Sequence, residues 1–153
     1  MKHLIFGGVL FVALLASTGC TSRSIREELP LKEITIGARA FVVEVAHTEA
    51  QKEKGLQGRT YLEEGMGMLF EFDTPDQYEL WMKGTLMSLD ALWIADGKVV
   101  DITANMLPQP GVPDDQLTRY KPNQAVTKIV ELSAGTVEAS GIVVGDSFIF
   151  GTP

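Results

Sequence analysis

The chain of 153 residues is poor in the side chains that hold metals and disulfides. It contains one cysteine, Cys20, and two histidines, His3 and His47. Disulfide scaffolds, iron-sulfur clusters and cysteine-rich zinc sites each need several such residues, so these counts exclude all three. We therefore expect no metal site and no cofactor. A histidine-based triad would depend on His47 in the mature chain, and no Gly-x-Ser-x-Gly elbow accompanies it, so we interpret His47 as a solvated residue at a strand end.

Basic side chains are also in short supply. The chain has 13 Lys and Arg against 20 Asp and Glu, and its formal net charge is -7. A protein that binds nucleic acid must neutralise phosphates with basic groups, so nucleic acid is not an expected partner. The hydrophobic content of 45% and the charged content of 22% exclude a disordered chain and fit one globular domain.

The N-terminus has the pattern of an export signal. Lys2 precedes an apolar run over residues 4–16, which is too short to cross the roughly 30 Å bilayer core as a helix. Three small residues then lead into Cys20, and this arrangement resembles the lipobox of bacterial lipoproteins. We predict a signal peptide over residues 1–19, lipidation of Cys20 and a tether over residues 20–30. Secretion with a free Cys20 and an uncleaved membrane anchor remain as alternatives.

Lipidation of Cys20 would place the chain at a membrane and make that membrane a partner. A chain held by acyl groups on Cys20 lies on the membrane without crossing it. We therefore expect a membrane-anchored lipoprotein of the cell envelope, facing the periplasm or the exterior.

Apolar residues recur at every second position through most of the remaining chain, which is typical of half-buried strands. Residues 31–153 are therefore predicted to form a single, mainly β domain, a compact sandwich or barrel. The Thr48-to-Gln51 capping-box spacing predicts one short helix near residues 48–57. Gly37-Ala38 and Asp96-Gly97 are predicted to be turns between strands. The predicted strands include Ile34–Ile36, Phe41–Val45, Met68–Phe72, Tyr78–Lys83, Leu89–Ala95, Val99–Ala104, Val126–Leu132 and Ser147–Phe150.

The predicted strand Tyr78–Lys83 carries the strongest candidate for a ligand groove. Alternation would place Trp81 and Lys83 on one face, which sets an aromatic stacking surface beside a cation. Gly84 predicts a bulge that re-aims the neighbouring Thr85. In the alternative interpretation, Trp81 packs under a loop and Lys83 extends outward from it.

Asp90 shares its predicted strand face with apolar residues, so its carboxylate would be buried and would need a partner. Lys83 or Arg59 is the expected partner, and a structural ion pair is favoured over a catalytic carboxylate. The expected ligand is small and anionic or carbohydrate-like. The candidate ligand-binding residues are Trp81, Lys83, Arg59, Asp90 and Thr85.

Two other functions remain open. An enzyme would use Lys83, Asp90 or Glu44 as an acid, a base or a covalent amine. A scaffolding or assembly lipoprotein would instead dock on another envelope protein through the proline-rich loop over residues 107–124, since long loops in compact domains often bind partners.

Several segments together resemble one known family. They are Phe41–Ala46, Gly67–Phe72, Trp81–Thr85, Leu89-Asp90 and Glu131–Gly135, and in this order they are similar to the domain-of-unknown-function 192 family. The family pattern has asparagine where Gly84 stands, proline where Ser88 stands and methionine where Gln57 stands. The resemblance implies a compact, mainly β domain of jelly-roll type, often found in exported proteins. It implies no established reaction.

Overall fold

The structure is a computed structural model and describes residues 28–151. The predicted signal peptide, Cys20 and most of the predicted tether lie outside the described residues. The elements are β1 (Leu31–Ile36), β2 (Arg39–Ala46), α1 (Glu49–Lys54), β3 (Met66–Asp76), β4 (Leu89–Ala95), β5 (Lys98–Met106), a 3₁₀ turn (Asp114–Gln116), β6 (Val126–Ser133), α2 (Thr136–Ser140) and β7 (Phe148–Phe150).

All seven strands belong to one mixed sheet in the order β5-β4-β6-β3-β2-β1-β7. The β2–β3 pair is parallel and the other pairs are antiparallel. The sheet curls into a half-barrel, and its two ends meet where Phe148 N–H donates to the Gly97 carbonyl at 2.8 Å and Val99 N–H to the Asp146 carbonyl at 2.9 Å. The expected mainly β fold is confirmed, and of the two expected forms the chain adopts the barrel-like one, as a single curled sheet with two short helices.

Each face of the sheet carries a hydrophobic cluster. The first cluster draws residues from both ends of the sheet, including Ile36 of β1, Val99 of β5 and Phe148 of β7, and so fills the concave side. The second cluster lies on the opposite, convex side and includes Met68, Trp93 and Ile129. Burial on both faces explains why β4, with six of its seven residues buried, is an almost continuous apolar run.

The turns form where the sequence predicts them. Gly37 joins β1 to β2 with φ of 58°, in the left-handed region that favours glycine. Asp96 and Gly97 join β4 to β5 with φ of 49° and 68°, as a two-residue hairpin turn of this type requires. Both halves of the capping box at α1 are present, because Thr48 accepts from Gln51 N–H and Gln51 accepts from Thr48 N–H.

Gly67 allows β3 and β6 to approach closely. A Cβ atom at this position would lie 2.7 Å from the Glu131 carbonyl oxygen and 2.7 Å from Leu132 Cδ2. Real Cβ atoms do not tolerate such separations, so only glycine fits here without a shift of the backbone. The glycine of the Gly-Met-Leu-Phe segment therefore serves the packing of the sheet.

The predicted strand Tyr78–Lys83 is wrong. β3 ends at Asp76, and residues 77–88 form a loop, here the cover loop, that pairs with Tyr120 through the two backbone groups of Leu80 at 2.9 Å each. Leu80 and Met82 are buried because the cover loop packs them against the convex cluster. Apolar alternation therefore arises here from a packed loop, and periodicity alone does not distinguish the two cases.

Candidate functional site

A cavity of about 390 Å³ lies on the convex side of the sheet. It is lined by α1 and the residues after it, by β3, by the cover loop and by one residue of β6. We call it the α1 cavity. Its apolar walls are formed by Leu56, Phe70, Phe72, Tyr78, Leu80 and Trp81.

Glu131 of β6 provides the polar group of the α1 cavity. It pairs with Met68 of β3 and Ala91 of β4, so it lies in the middle of the sheet, and it is 5% exposed. Burial alone raises the pKa of Glu131 to about 8, and no side chain or backbone N–H within residues 28–151 donates a hydrogen bond to its carboxyl group. At neutral pH this group is a protonated acid, which donates one hydrogen bond and accepts others.

The aromatic wall of the α1 cavity is preorganised by ring contacts. Phe72 and Tyr78 stack with ring centroids 3.6 Å apart and planes 13° from parallel. Lys52 Nζ lies 4.6 Å from the Phe72 centroid, and the Arg119 guanidinium lies 4.4 Å from the Trp81 centroid. The negative potential of these ring faces is thus already sufficient to hold two cations of the chain itself.

Three of the five predicted site residues line this cavity, namely Trp81, Lys83 and Thr85. Trp81 and Lys83 are partly buried and Thr85 is buried. The predicted bulge at Gly84 is a turn, in which Gly84 has φ of 62° and its carbonyl accepts from Gly58 N–H at 2.8 Å. Strand alternation does not operate here, because Tyr78, Glu79, Leu80 and Trp81 line the cavity in succession.

Lys83 is held by an ion pair. Its Nζ donates to Asp114 Oδ2 at 2.6 Å, and this hydrogen bond together with the Asp114 charge raises the pKa of Lys83. A nucleophilic lysine needs the opposite shift, because only the neutral amine attacks. The ion pair with Asp114 therefore links the cover loop to the 107–124 loop.

Arg59 does not line the α1 cavity. It lies in a neighbouring groove of about 920 Å³ that shares Gln57 with the cavity. Its two terminal nitrogens donate to the two carboxylate oxygens of Glu44 at 2.7 and 2.5 Å, and this hydrogen bonding raises the pKa of Arg59. A bidentate pair of this kind orients both groups toward each other, which also leaves Glu44 poorly placed as a catalytic base.

Asp90 is buried as expected, at 1% exposed, but the predicted partners are wrong. Its two oxygens accept the backbone N–H groups of Asn105 at 2.9 Å and Val137 at 3.0 Å, and neither Lys83 nor Arg59 reaches it. These two backbone donors supply the hydrogen bonds that a buried carboxylate needs. Asp90 thus fixes the end of β5 and the start of α2, away from the cavity.

Glu131 was not among the site residues predicted from the sequence. Its neighbours Val130 and Leu132 point to the concave cluster, so alternation assigns Glu131 to an outer face that reads as solvent-exposed. One sequence feature pointed to burial of this face: Ile129, two residues earlier on it, is apolar. In the structure Ile129 is fully buried. The sequence did not show that the cover loop covers this face.

The remaining features give no further site. In the range 28–151, no group of three or more His, Cys, Asp or Glu side chains is placed to hold a metal ion. The same range contains no helix with the length and apolar character needed to cross a membrane. His47 follows β2, is exposed, and has Nδ1 3.4 Å from Glu71 Oε2.

The fold and the cavity together define a small half-barrel domain with a ligand-sized hollow under its cover loop. Comparison with known proteins gives the particular family. The chain matches the family DUF192, described as "Uncharacterized ACR", over residues 32–150, and it belongs to this domain-of-unknown-function family. No curated protein matches the sequence.

Two solved structures are similar to this chain. One, from Sinorhizobium meliloti 1021, is called a "putative transcription regulator"; it has 29% sequence identity and a TM-score of 0.73, and the match covers 80% of this chain and 95% of that one. The other is a protein of unknown function from Novosphingobium aromaticivorans DSM 12444, with 28% identity and a TM-score of 0.71, covering 79% of this chain and 86% of that one.

The structure explains one departure from the family pattern. Gly84 has φ of 62°, in the left-handed region where glycine is favoured and asparagine is the next best tolerated residue. Glycine here and asparagine in the family therefore suit the same turn. Gln57, the other departure at this place, is its neighbour, since a Cβ on Gly84 would lie 3.4 Å from Gln57 Oε1.

Proposed function

We propose that this chain is an exported, lipid-anchored domain of the cell envelope that binds a small, ring-bearing organic molecule in the α1 cavity. The observation that carries the proposal is Glu131, a residue 5% exposed whose carboxyl group opens on the cavity beside the aromatic wall and receives no hydrogen bond from any residue in 28–151. No fully buried side-chain nitrogen or oxygen in residues 28–151 lacks a hydrogen-bond partner, so the carboxyl oxygens of Glu131 are open to the cavity, where a bound ligand would supply their partner.

The cavity has the composition of a small-molecule site. Such sites are mostly apolar and aromatic, with a few polar groups that fix the orientation of the ligand. Here the rings of Phe70, Phe72, Tyr78 and Trp81 offer stacking surface, while Glu131 and Thr85 offer polar contacts. A flat or ring-shaped ligand that reaches the carboxyl group of Glu131 would contact both the aromatic rings and the polar groups.

The geometry favours binding over the two alternatives. The catalytic hypothesis depends on Lys83, Asp90 or Glu44, and each of these side chains is engaged in the pairing described above. The scaffolding hypothesis needs a free 107–124 loop, whereas Lys121 of this loop bonds Glu79 at 2.8 Å and Arg119 packs on Trp81. This loop therefore fastens the cover loop over the cavity.

The charge of the ligand is also constrained. The anionic ligand expected from the sequence required a free ammonium at Lys83, and that ammonium is already paired with Asp114. Direct binding to nucleic acid is not favoured either, because the chain carries a net charge of -7.

We expect a saturable change in tryptophan fluorescence when the full chain is titrated with low-mass extracts of envelope fractions. The change should be lost in Trp81→Phe, because Trp81 lines the cavity whereas Trp93 is buried in the core with its indole N–H bonded to Thr103 at 2.9 Å. Removing the larger ring should also weaken binding by about tenfold, the value of one good aromatic contact. If no fraction gives a saturable change, the proposal fails.

The location has its own test. We expect the wild-type chain, made in a bacterial host, to partition into the detergent phase of a cloud-point extraction. Cys20→Ala should move it to the aqueous phase or leave an unprocessed precursor, because stable anchoring needs acyl chains. Ser22→Ala is the matched control and should behave as wild type. Equal partitioning of wild type and Cys20→Ala would show that the lipid anchor is absent.

A further inference from the structure

We propose that the ligand of the α1 cavity carries a protonated amine, which binds between the aromatic wall and the carboxyl group of Glu131. This inference rests on the proposed function and specifies the charge of its ligand. Three observations carry it: the charge of the cavity lining, which becomes negative when Glu131 ionises, the cations already bound to its rings, and the position of Glu131 at the buried end.

The charges around the cavity favour a cation once Glu131 is ionised. Apart from Glu131, the three carboxylates and three ammonium groups contributed by α1 and the cover loop balance one another, so ionisation of Glu131 leaves the lining with one negative charge in excess. Two of the three lysines are already paired, Lys52 with Glu49 at 3.0 Å and Lys83 with Asp114 at 2.6 Å. The charged lining residues are Glu49, Lys52, Glu53, Lys54, Glu79, Lys83 and Glu131.

The aromatic wall favours a cation as well. The faces of aromatic rings are negative, and cations bind to them at about 6 Å or less from the ring centroid. Lys52 on Phe72 and Arg119 on Trp81 already meet this criterion. The cavity surfaces of Tyr78 and Trp81 would offer the same attraction to an amine that enters the cavity.

Glu131 then supplies the counter-ion. It is the most deeply buried charged residue of the lining, and its pKa of about 8 means that its ionisation at neutral pH costs only about tenfold in affinity. A protonated amine would return more than this cost, because charge-assisted hydrogen bonds are about twice as strong as neutral ones. The proton of Glu131 leaves to solvent, and the bound pair is an ammonium with a carboxylate.

The three possible ligand charges make different predictions about this proton. An amine needs Glu131 ionised, so its binding strengthens as the pH rises toward 8. A neutral alcohol bonds the protonated acid and changes little with pH over most of this range. An anion requires the protonated acid, and its binding weakens as the pH rises. Benzylamine, benzyl alcohol and benzoate are probes of almost the same shape that separate the three cases.

We would titrate the full chain in detergent micelles with each probe by calorimetry, at about pH 6 and about pH 8, and subtract protein-free micelles. Benzylamine keeps its own proton over this range, as an alkylamine does, so only Glu131 titrates on binding. We expect benzylamine to bind most tightly, with affinity rising about tenfold per pH unit below pH 8. Buffers of different ionisation heat should show close to one proton released for each benzylamine bound at neutral pH.

Glu131→Gln should reduce benzylamine affinity by about tenfold to a hundredfold, the value of a hydrogen bond to a charged group. It should abolish proton release and leave benzyl alcohol within a few-fold of its wild-type affinity. Glu64→Gln removes an exposed carboxylate outside the cavity and should change neither value.

The outcomes are distinct. The amine inference is overturned if wild type binds benzyl alcohol or benzoate more tightly than benzylamine. It is also overturned if Glu131→Gln ranks the three probes as wild type does. In both cases the cavity is still a binding site. Saturable binding of none of the three probes overturns the amine inference alone; the extract titration with Trp81→Phe decides the proposed function separately.

Discussion

Replacing Glu131 with glutamine is expected to stabilise the folded domain by about 3–5 kcal/mol at pH 8 and above, where each unit of pKa displacement corresponds to about 1.4 kcal/mol. The cause is the burial that raises the pKa of this carboxyl group from 4.5 to about 8. Glutamine keeps the size and the hydrogen-bonding groups of the protonated acid but never ionises, so it avoids the cost of a buried charge.

The sign of the pH dependence follows from proton binding. Between pH 4.5 and 8 the folded state holds the Glu131 proton and the unfolded state does not, so the free energy of unfolding falls as the pH rises. Below pH 4.5 wild type and Glu131→Gln should be equally stable. Urea unfolding of the full chain at several pH values measures the difference, with Glu64→Gln as control. Parallel pH profiles of wild type and Glu131→Gln would contradict the buried position of this group.

Truncation of Asp90 should cause the second large effect. Asp90→Ala leaves the buried N–H groups of Asn105 and Val137 without their acceptor, and each hydrogen bond to a charged group contributes about 1.5–3 kcal/mol. We expect a loss of about 3–5 kcal/mol in the free energy of unfolding. Asp90→Asn keeps one acceptor oxygen and should lose about half as much.

If Asp90 has a structural role, wild type should be the most stable, Asp90→Asn intermediate and Asp90→Ala the least stable. Asp73→Ala removes an exposed carboxylate from β3 and serves as the control. Ligand binding by Asp90→Asn should be unchanged under conditions where it is folded, since Asp90 lies outside the α1 cavity. A loss of less than about 1 kcal/mol in Asp90→Ala would show that the two amides find other partners.

Much of the fold is predictable from the sequence, because local rules agree with the final structure. The β1–β2 hairpin, the strand Leu89–Ala95 and the Asp96-Gly97 turn form as predicted, since alternation or an apolar run is bounded there by residues that favour left-handed backbone. α2 has five residues and starts at a glycine without a side-chain cap, so no capping pattern marks it. The strand prediction for Tyr78–Lys83 failed because the apolar residues of this segment are buried against strands that are distant in sequence.

The site is only partly predictable for the same reason. Trp81, Lys83 and Thr85 lie close in sequence and line one cavity, but the strand alternation that grouped Trp81 with Lys83 does not hold in the cover loop. The position of Glu131 depends on the cover loop passing over β6, which is a contact between residues some fifty positions apart that no local pattern encodes. The burial of Asp90 was predicted correctly. Its partners were not, because they are backbone N–H groups, which every residue has and which therefore cannot be identified from the sequence.

The parallel pairing of β2 with β3 requires a crossover connection, and here that connection, residues 47–65, includes α1. α1 contributes charged side chains to the cavity wall, yet none of its residues is buried. Mutations in this helix therefore alter the wall at little cost to folding, whereas mutations in β6 or β3 disturb the packed sheet. α1 is accordingly the segment in which substitutions would change the shape and charge of the cavity wall while leaving the packed sheet intact.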